Sequence, residues 1–154
     1  MDKQKVYLAG PIEKEKDGGR EIRNIVKNKF INEFEFIDPC DFSYNKQFKS
    51  IQEMQDKYPD QWKSITKTIL KDDLSSISKS DLVIAILNKN AGIGTFSEIV
   101  FASFNNIPVV AYFCNNDLEY ENLHPWIQVS ISQYVYDIRY LPSAIDETIN
   151  LIKS

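Results

Sequence analysis

The run Asp81-Leu82-Val83-Ile84-Ala85-Ile86-Leu87 constrains this chain more than any other feature: one acid followed by an unbroken apolar stretch. It is far too short to cross a membrane. It also lacks the apolar-polar alternation of a strand with one wet face, so it reads as a central strand of a parallel sheet covered on both sides. Parallel neighbours must be joined by crossovers of a dozen or more residues, usually helical, and the rest of the chain supplies such units. Val6-Tyr7-Leu8-Ala9 is a first strand stopped by Gly10-Pro11. A helix follows from about Gly19 to Asn32, with Ile22, Ile25, Val26 and Phe30 on its inner face. Phe34-Glu35-Phe36-Ile37 is a short strand ended by Asp38-Pro39, and Trp62 to Ile77 is a helix with Trp62, Ile65, Ile69 and Leu74 or Ile77 inward. After the central strand, Asn88 to Gly94 forms a loop and Thr95 to Phe104 a helix. Pro108 to Phe113 is a buried strand, with proline at its first position where no ladder donor is lost. A short strand near Tyr134-Val135-Tyr136 precedes a closing helix that starts at Pro142 and turns Ile145, Ile149 and Ile152 inward. Asp41 to Pro59 is polar and aromatic without a clean period and reads as a loop or lid. The expectation is a doubly wound sheet of five parallel strands with helices on both faces. Its ligands settle outside the carboxyl ends of the strands.

A chain of 154 residues, 43% hydrophobic and 26% charged, forms one domain over 1–154 and buries roughly two thirds of its unfolded surface without staples. Its formal charge is -4 and its lysines alternate with acids, which excludes a basic nucleic-acid groove and favours a small-molecule substrate. Cys40 and Cys114 lack paired spacing, which suits a reducing compartment. With the single histidine, His124, they fall short of a zinc site. No long apolar stretch marks a signal peptide or a span, so the expected location is cytoplasmic, away from membranes.

The strand ends carry neither a Gly-x-Gly-x-x-Gly turn nor a Walker-type Gly-Lys-Ser, and no Ser-His-Asp order stands out. Carboxylates remain: Asp72, Asp73 and Glu98, with Tyr7 at the end of the first strand. Thr95-Phe96-Ser97-Glu98 fits a capping box, in which Glu98 folds back onto the cap's amide. The same placement suits a nucleophile, because the positive end of a helix lowers a carboxylate's pKa. Both readings stand on sequence grounds. Asp72 and Asp73 lie late in a helix, where negative charge is locally unfavourable, and one of them is a solvated surface charge. Tyr7 fits a half-buried strand aromatic, and Phe42, Tyr44, Phe48 and Trp62 fit either core or a wall for stacking a nucleobase.

Six segments together resemble the nucleoside 2-deoxyribosyltransferase family. They are Val6 to Pro11, Asn45 to Lys49, Asp72-Asp73-Leu74, Ser80 to Ala85, Gly94 to Glu98 and Asn122 to Trp126. The resemblance implies a flavodoxin-like fold and base exchange on 2'-deoxynucleosides in nucleotide salvage, through a covalent deoxyribosyl-Glu98 intermediate. The alternative it implies is hydrolysis of 2'-deoxynucleoside 5'-monophosphates. Tyr7 would orient Glu98, Asp73 would meet the base with Gln47 beside it, and Gly10, Asp72, Asn90 and Gly94 would complete the substrate set. Asn122 and His124 would reach into a neighbouring subunit's site within a dimer or hexamer. No metal or organic cofactor is called for. Many members hold the sugar's 5'-hydroxyl with an aspartate shortly before the nucleophile; here Gly92 stands at that position and Asn90 is the nearest polar residue. Gly18-Gly19-Arg20 offers amides and a guanidinium for a phosphate, or else is an exposed turn.

Overall fold

A computed structural model describes residues 3–42, 47, 48 and 50–154. Five strands, β1 (Gln4–Ala9), β2 (Phe34–Ile37), β3 (Leu82–Leu87), β4 (Val109–Phe113) and β5 (Gln133–Val135), form one parallel sheet in the order β2-β1-β3-β4-β5. This is the flavodoxin-like order of a doubly wound α/β fold, and β3, the most apolar segment, lies at its centre. The helices are α1 (Arg20–Lys29), α2 (Ile51–Lys57), α3 (Trp62–Ser78), α4 (Ile93–Phe104), α5 (Pro125–Ser130) and α6 (Leu141–Lys153).

Successive side chains of each strand point to opposite faces, so every strand feeds two cores. Tyr7, Ala9, Val83, Ala85 and Leu87 pack with Ile77 of α3, Ile99 and Ala102 of α4, and Ile127 of α5. Val6, Leu8, Ile84 and Ile86 pack on the other side with Val26 of α1 and with Leu141, Ala144 and Ile145 of α6. Tyr7 therefore faces the layer that contains α4, whereas α1 lies behind the sheet.

Several expectations are corrected. Ile25 is exposed and Arg23 is fully buried, so the inner face of α1 is Ile22, Arg23, Val26 and Phe30. Ile152 is exposed at the frayed end of α6. The stretch expected to be a loop contains α2, capped by the Ser50 hydroxyl, which accepts from the Glu53 amide at 3.1 Å. Helix α4 starts at Ile93 behind Gly92 with no side-chain cap. Thr95 is thus inside the helix, and Glu98 stands one turn too far along to close a capping box. Asn45, Lys46, Lys49 and Tyr44 lie outside the described residues. None of the described helices is long and apolar enough to cross a membrane.

Candidate active site

Strand β1 pairs with β2 on one side and β3 on the other, and the crossovers leave in opposite directions, which opens a crevice at the carboxyl ends of β1 and β3. Gly10 and Pro11 follow β1 at this end, Asn88 to Gly92 follow β3, and α4 begins at Ile93. Glu98 lies in the second turn of α4. Its carboxyl oxygen Oε2 is shut off from solvent and accepts no well-formed hydrogen bond. The cost of leaving an anion unhydrated dominates: burial pushes the carboxyl up to about 8. The Tyr7 hydroxyl beside it favours the ionised form, the negative charge of Asp73 opposes it, and the buried Arg23 guanidinium favours it. The expected help from the helix N-terminus does not keep the carboxylate ionised, because that effect fades beyond the first turn and burial outweighs it.

Three elements thus converge on one carboxyl: β1 through Tyr7, α3 through Asp73 and α1 through Arg23. Asp73 is half-buried while Asp72 is exposed, so Asp72 is the solvated member of the pair. Gly10 is buried so tightly that a Cβ there would meet the Ile86 carbonyl oxygen at 3.1 Å. Gly94 is exposed, with open space around it. Gln47, Asn122 and His124 are exposed as well. His124 caps α5, its Nδ1 accepting from the Trp126 amide at 3.2 Å.

The rim holds a network that sequence separation concealed. Glu15, in the loop after β1, accepts from Asn88 Nδ2 at 2.7 Å and from Asn90 Nδ2 at 3.2 Å, while Asn88 Oδ1 accepts from the Asn90 amide at 2.8 Å. An acid from the first loop thereby stands beside the residue nearest the missing aspartate. The turn Gly18-Gly19-Arg20 is already filled. Asp17 accepts from the Gly19 and Glu21 amides, both at 2.9 Å, and the Glu21 bond leads in holding the Asp17 carboxyl below its usual range. Arg20 donates to the Cys40 carbonyl at 3.1 Å. A phosphate arriving here would have to displace an anion that the chain itself provides.

Elsewhere, an open groove of about 370 Å³ runs between β5 and α6, lined by Gln133, Glu147, Asn150 and Leu151. Gln133 donates to Glu147 there at 3.2 Å. The groove brings together no nucleophile and no displaced titration. Among the described residues no group of three His, Cys, Asp or Glu side chains is arranged to hold a metal ion.

Comparison with known proteins bears on the family and the fold. The family model for nucleoside 2-deoxyribosyltransferase matches residues 6–130. Among solved structures, a 2-deoxyribosyltransferase from Bacillus psychrosaccharolyticus is similar with a TM-score of 0.63 at 19% identity, covering 89% of either chain. A conserved protein from Enterococcus faecalis gives 0.65 at 17% identity, covering 96% of this chain and 99% of that one. A 2-desoxiribosyltransferase from Leishmania mexicana gives 0.50 at 18%, covering 73% and 65%. At these identities the likeness is one of fold. No curated protein matches significantly.

Proposed function

Because the chain belongs to the nucleoside 2-deoxyribosyltransferase family, we propose that it exchanges the nucleobase of 2'-deoxynucleosides by double displacement, with Glu98 as the nucleophile. The observation that carries this reading is a buried carboxyl, pushed up to about 8, on which Tyr7, Asp73 and Arg23 act from three separate elements. An acid that merely capped its helix would have no need of that setting.

Rupture of the N-glycosidic bond builds positive charge at the anomeric carbon and negative charge on the departing base. A Glu98 oxygen forms a bond to that carbon from one face of the sugar as the bond to the base nitrogen breaks. The electron pair goes to the base, which takes a proton from Asp73. A second base then attacks the glycosyl ester, its nitrogen bonding to carbon as the Glu98 carboxylate leaves and its N–H proton passing to the Asp73 carboxylate, and two inversions give net retention. At neutral pH burial, reinforced by the charge of Asp73, keeps a proton on Glu98. The reactive arrangement has that proton on the base side and the charge on Glu98. Tyr7 steadies that charge, and a 2'-hydroxyl beside the nucleophile would crowd it and disfavour the cation, hence the deoxyribose preference.

The acceptor is a base and the donor a free nucleoside. Asp17 on the amides of α1 and Glu15 on the rim present negative charge where a 5'-phosphate dianion would need positive. In this reading Gln47 meets the base and Asn90 the 5'-end, Gly94 leaves open space for the substrate, and Gly10 lets the turn after β1 pack against Ile86 and Arg23. Asn122 and His124, exposed on their own subunit, complete a neighbour's site. An apolar surface supports this assembly: Ile93 and Phe104 of α4 are 87% and 88% exposed, and Trp126 and Val129 of α5 are 72% and 81% exposed, on two helices packed together.

The test incubates deoxyinosine with and without adenine, together with mass spectrometry of the protein. The expected result is deoxyadenosine formed only when adenine is present and a deoxyribosyl adduct on Glu98 that Glu98→Ala lacks. Release of free sugar independent of acceptor would make the chain a hydrolase. Unchanged ligand with no adduct would leave a nucleotide-binding module.

A further inference from the structure

The buried cation on the far side of the sheet takes part in no bond-making or proton-transfer step above. Arg23 sits on the inner face of α1 with 1% of its surface exposed, an expensive place for a charge unless its donors are satisfied. It reaches past the carboxyl end of β1, where Nη2 donates to the Gly10 carbonyl at 3.0 Å and Nη1 to the Pro11 carbonyl at 3.2 Å. Its Nε faces Asp38 Oδ1 at 3.1 Å, and Asp38 in turn pairs with Lys27 at 2.7 Å. The site's turn is built around it. At Gly19, which has a φ of 77°, a Cβ would meet Arg23 Nη1 at 2.6 Å and the Pro11 carbonyl oxygen at 2.5 Å. Gly10 has the guanidinium on one side and Ile86 on the other.

We propose that Arg23 is a positioning residue for the Glu98 chemistry: its fork fixes the Gly10-Pro11 turn that follows Tyr7, and its charge steadies the ionised nucleophile across the sheet. The first role follows from two backbone acceptors held by one rigid, planar donor group. The second follows from burial, because a guanidinium out of water acts over longer distances than one on the surface. The groups acting on the Glu98 carboxyl are Tyr7 from β1, Asp73 from α3 and Arg23 from α1, and Arg23 is the cation among them. On its far side Asp38 is shared between Arg23 and Lys27, and Lys27 also faces Asp41 at 3.6 Å. This inference rests on the assignment of Glu98 as nucleophile, yet the charge effect can be measured without turnover.

The experiment separates fork from charge. Arg23→Gln keeps donors and removes charge, whereas Arg23→Lys keeps charge and loses the fork. Folding is checked by circular dichroism, and the Glu98 carboxyl is titrated by carbon NMR on ligand-free protein, assigned against Glu98→Gln. The glutamine variant is expected to move that titration upward by about half a unit or more. The lysine variant should keep the titration near its original position while kcat for base exchange falls about tenfold. A folded glutamine variant that titrates like the parent would overturn the electrostatic role. Should the glutamine variant fail to fold, the lysine variant decides: parental kcat with an intact fold overturns the positioning role. If the chain exchanges no bases at all, the NMR shift still reports on Arg23, so the two readings fail separately.

Discussion

At the scale of single residues, Glu98 couples reactivity to stability. Its folded pKa of about 8 stands above the ordinary 4.5, so the folded chain binds the proton more tightly than the unfolded one. Stability is then greatest below pH 4.5 and declines as pH rises from there to 8, where the folded group also ionises. Glu98→Gln removes the titration. The expected outcome is that the variant gains on the parent by a few kcal/mol between pH 5 and 8, read from urea midpoints at a series of pH values. A parent whose stability rises over that window would show Glu98 to be well solvated. If Glu98 is the nucleophile, the catalytic counterpart is an alkaline limb near pH 8 in kcat/KM, where the site loses the proton that must reach the departing base. That Tyr7 and Asp73 come close enough to act on Glu98 was legible in the sequence, because each sits at or near a recognisable element end. The burial of Glu98 was not. A helix N-terminus suggested a lowered pKa, and the opposing burial depends on strands and helices distant in the chain.

At the scale of elements, strands and helices with a clear period fell where their patterns placed them: β2 at Phe34–Ile37 and α3 at Trp62–Ser78 are examples. The misses have physical causes. Arg23 breaks the rule that arginine lies outside, because its acceptors at Gly10 and Pro11 and its partner Asp38 meet it only once β1 and β2 pair. Thr95 imitates a cap, yet Gly92 leads α4 in. Glu15 and Asn88 are 73 residues apart in sequence, beyond any local pattern. The turn into α1 offers a paired test. Gly18 and Gly19 both hold positive φ, of 70° and 77°, but only at Gly19 would a Cβ strike backbone, whereas Gly18 has nothing within 4 Å. Gly18→Ala should cost about 1 kcal/mol from conformation alone, and Gly19→Ala at least about 2 kcal/mol more, with loss of base exchange. Equal destabilisation of the two in urea titrations would count against the tight seat around Arg23.

At the scale of the whole molecule, the doubly wound order could be read from one central strand and its crossovers. The apolar surface could not, because exposed Ile93, Phe104, Trp126 and Val129 interrupt otherwise ordinary helices and form one patch only when α4 and α5 stand side by side. Ile93 and Phe104 are eleven residues apart and share one stripe of α4. If this stripe joins subunits, Trp126→Asp should yield a smaller species in sedimentation velocity, with normal circular dichroism and base exchange reduced at least tenfold, since Asn122 and His124 would no longer reach a neighbour. A fully active monomeric parent would refute the shared site.

The Asp17 carboxylate at the head of α1 has a consequence for substrate range. The protein carries its own tenant in a seat that foreign anions otherwise take, so a charged ligand would have to evict Asp17 before it could bind there. Evolution could therefore widen the diet of such a scaffold by evicting one side chain, leaving the bond-breaking apparatus untouched.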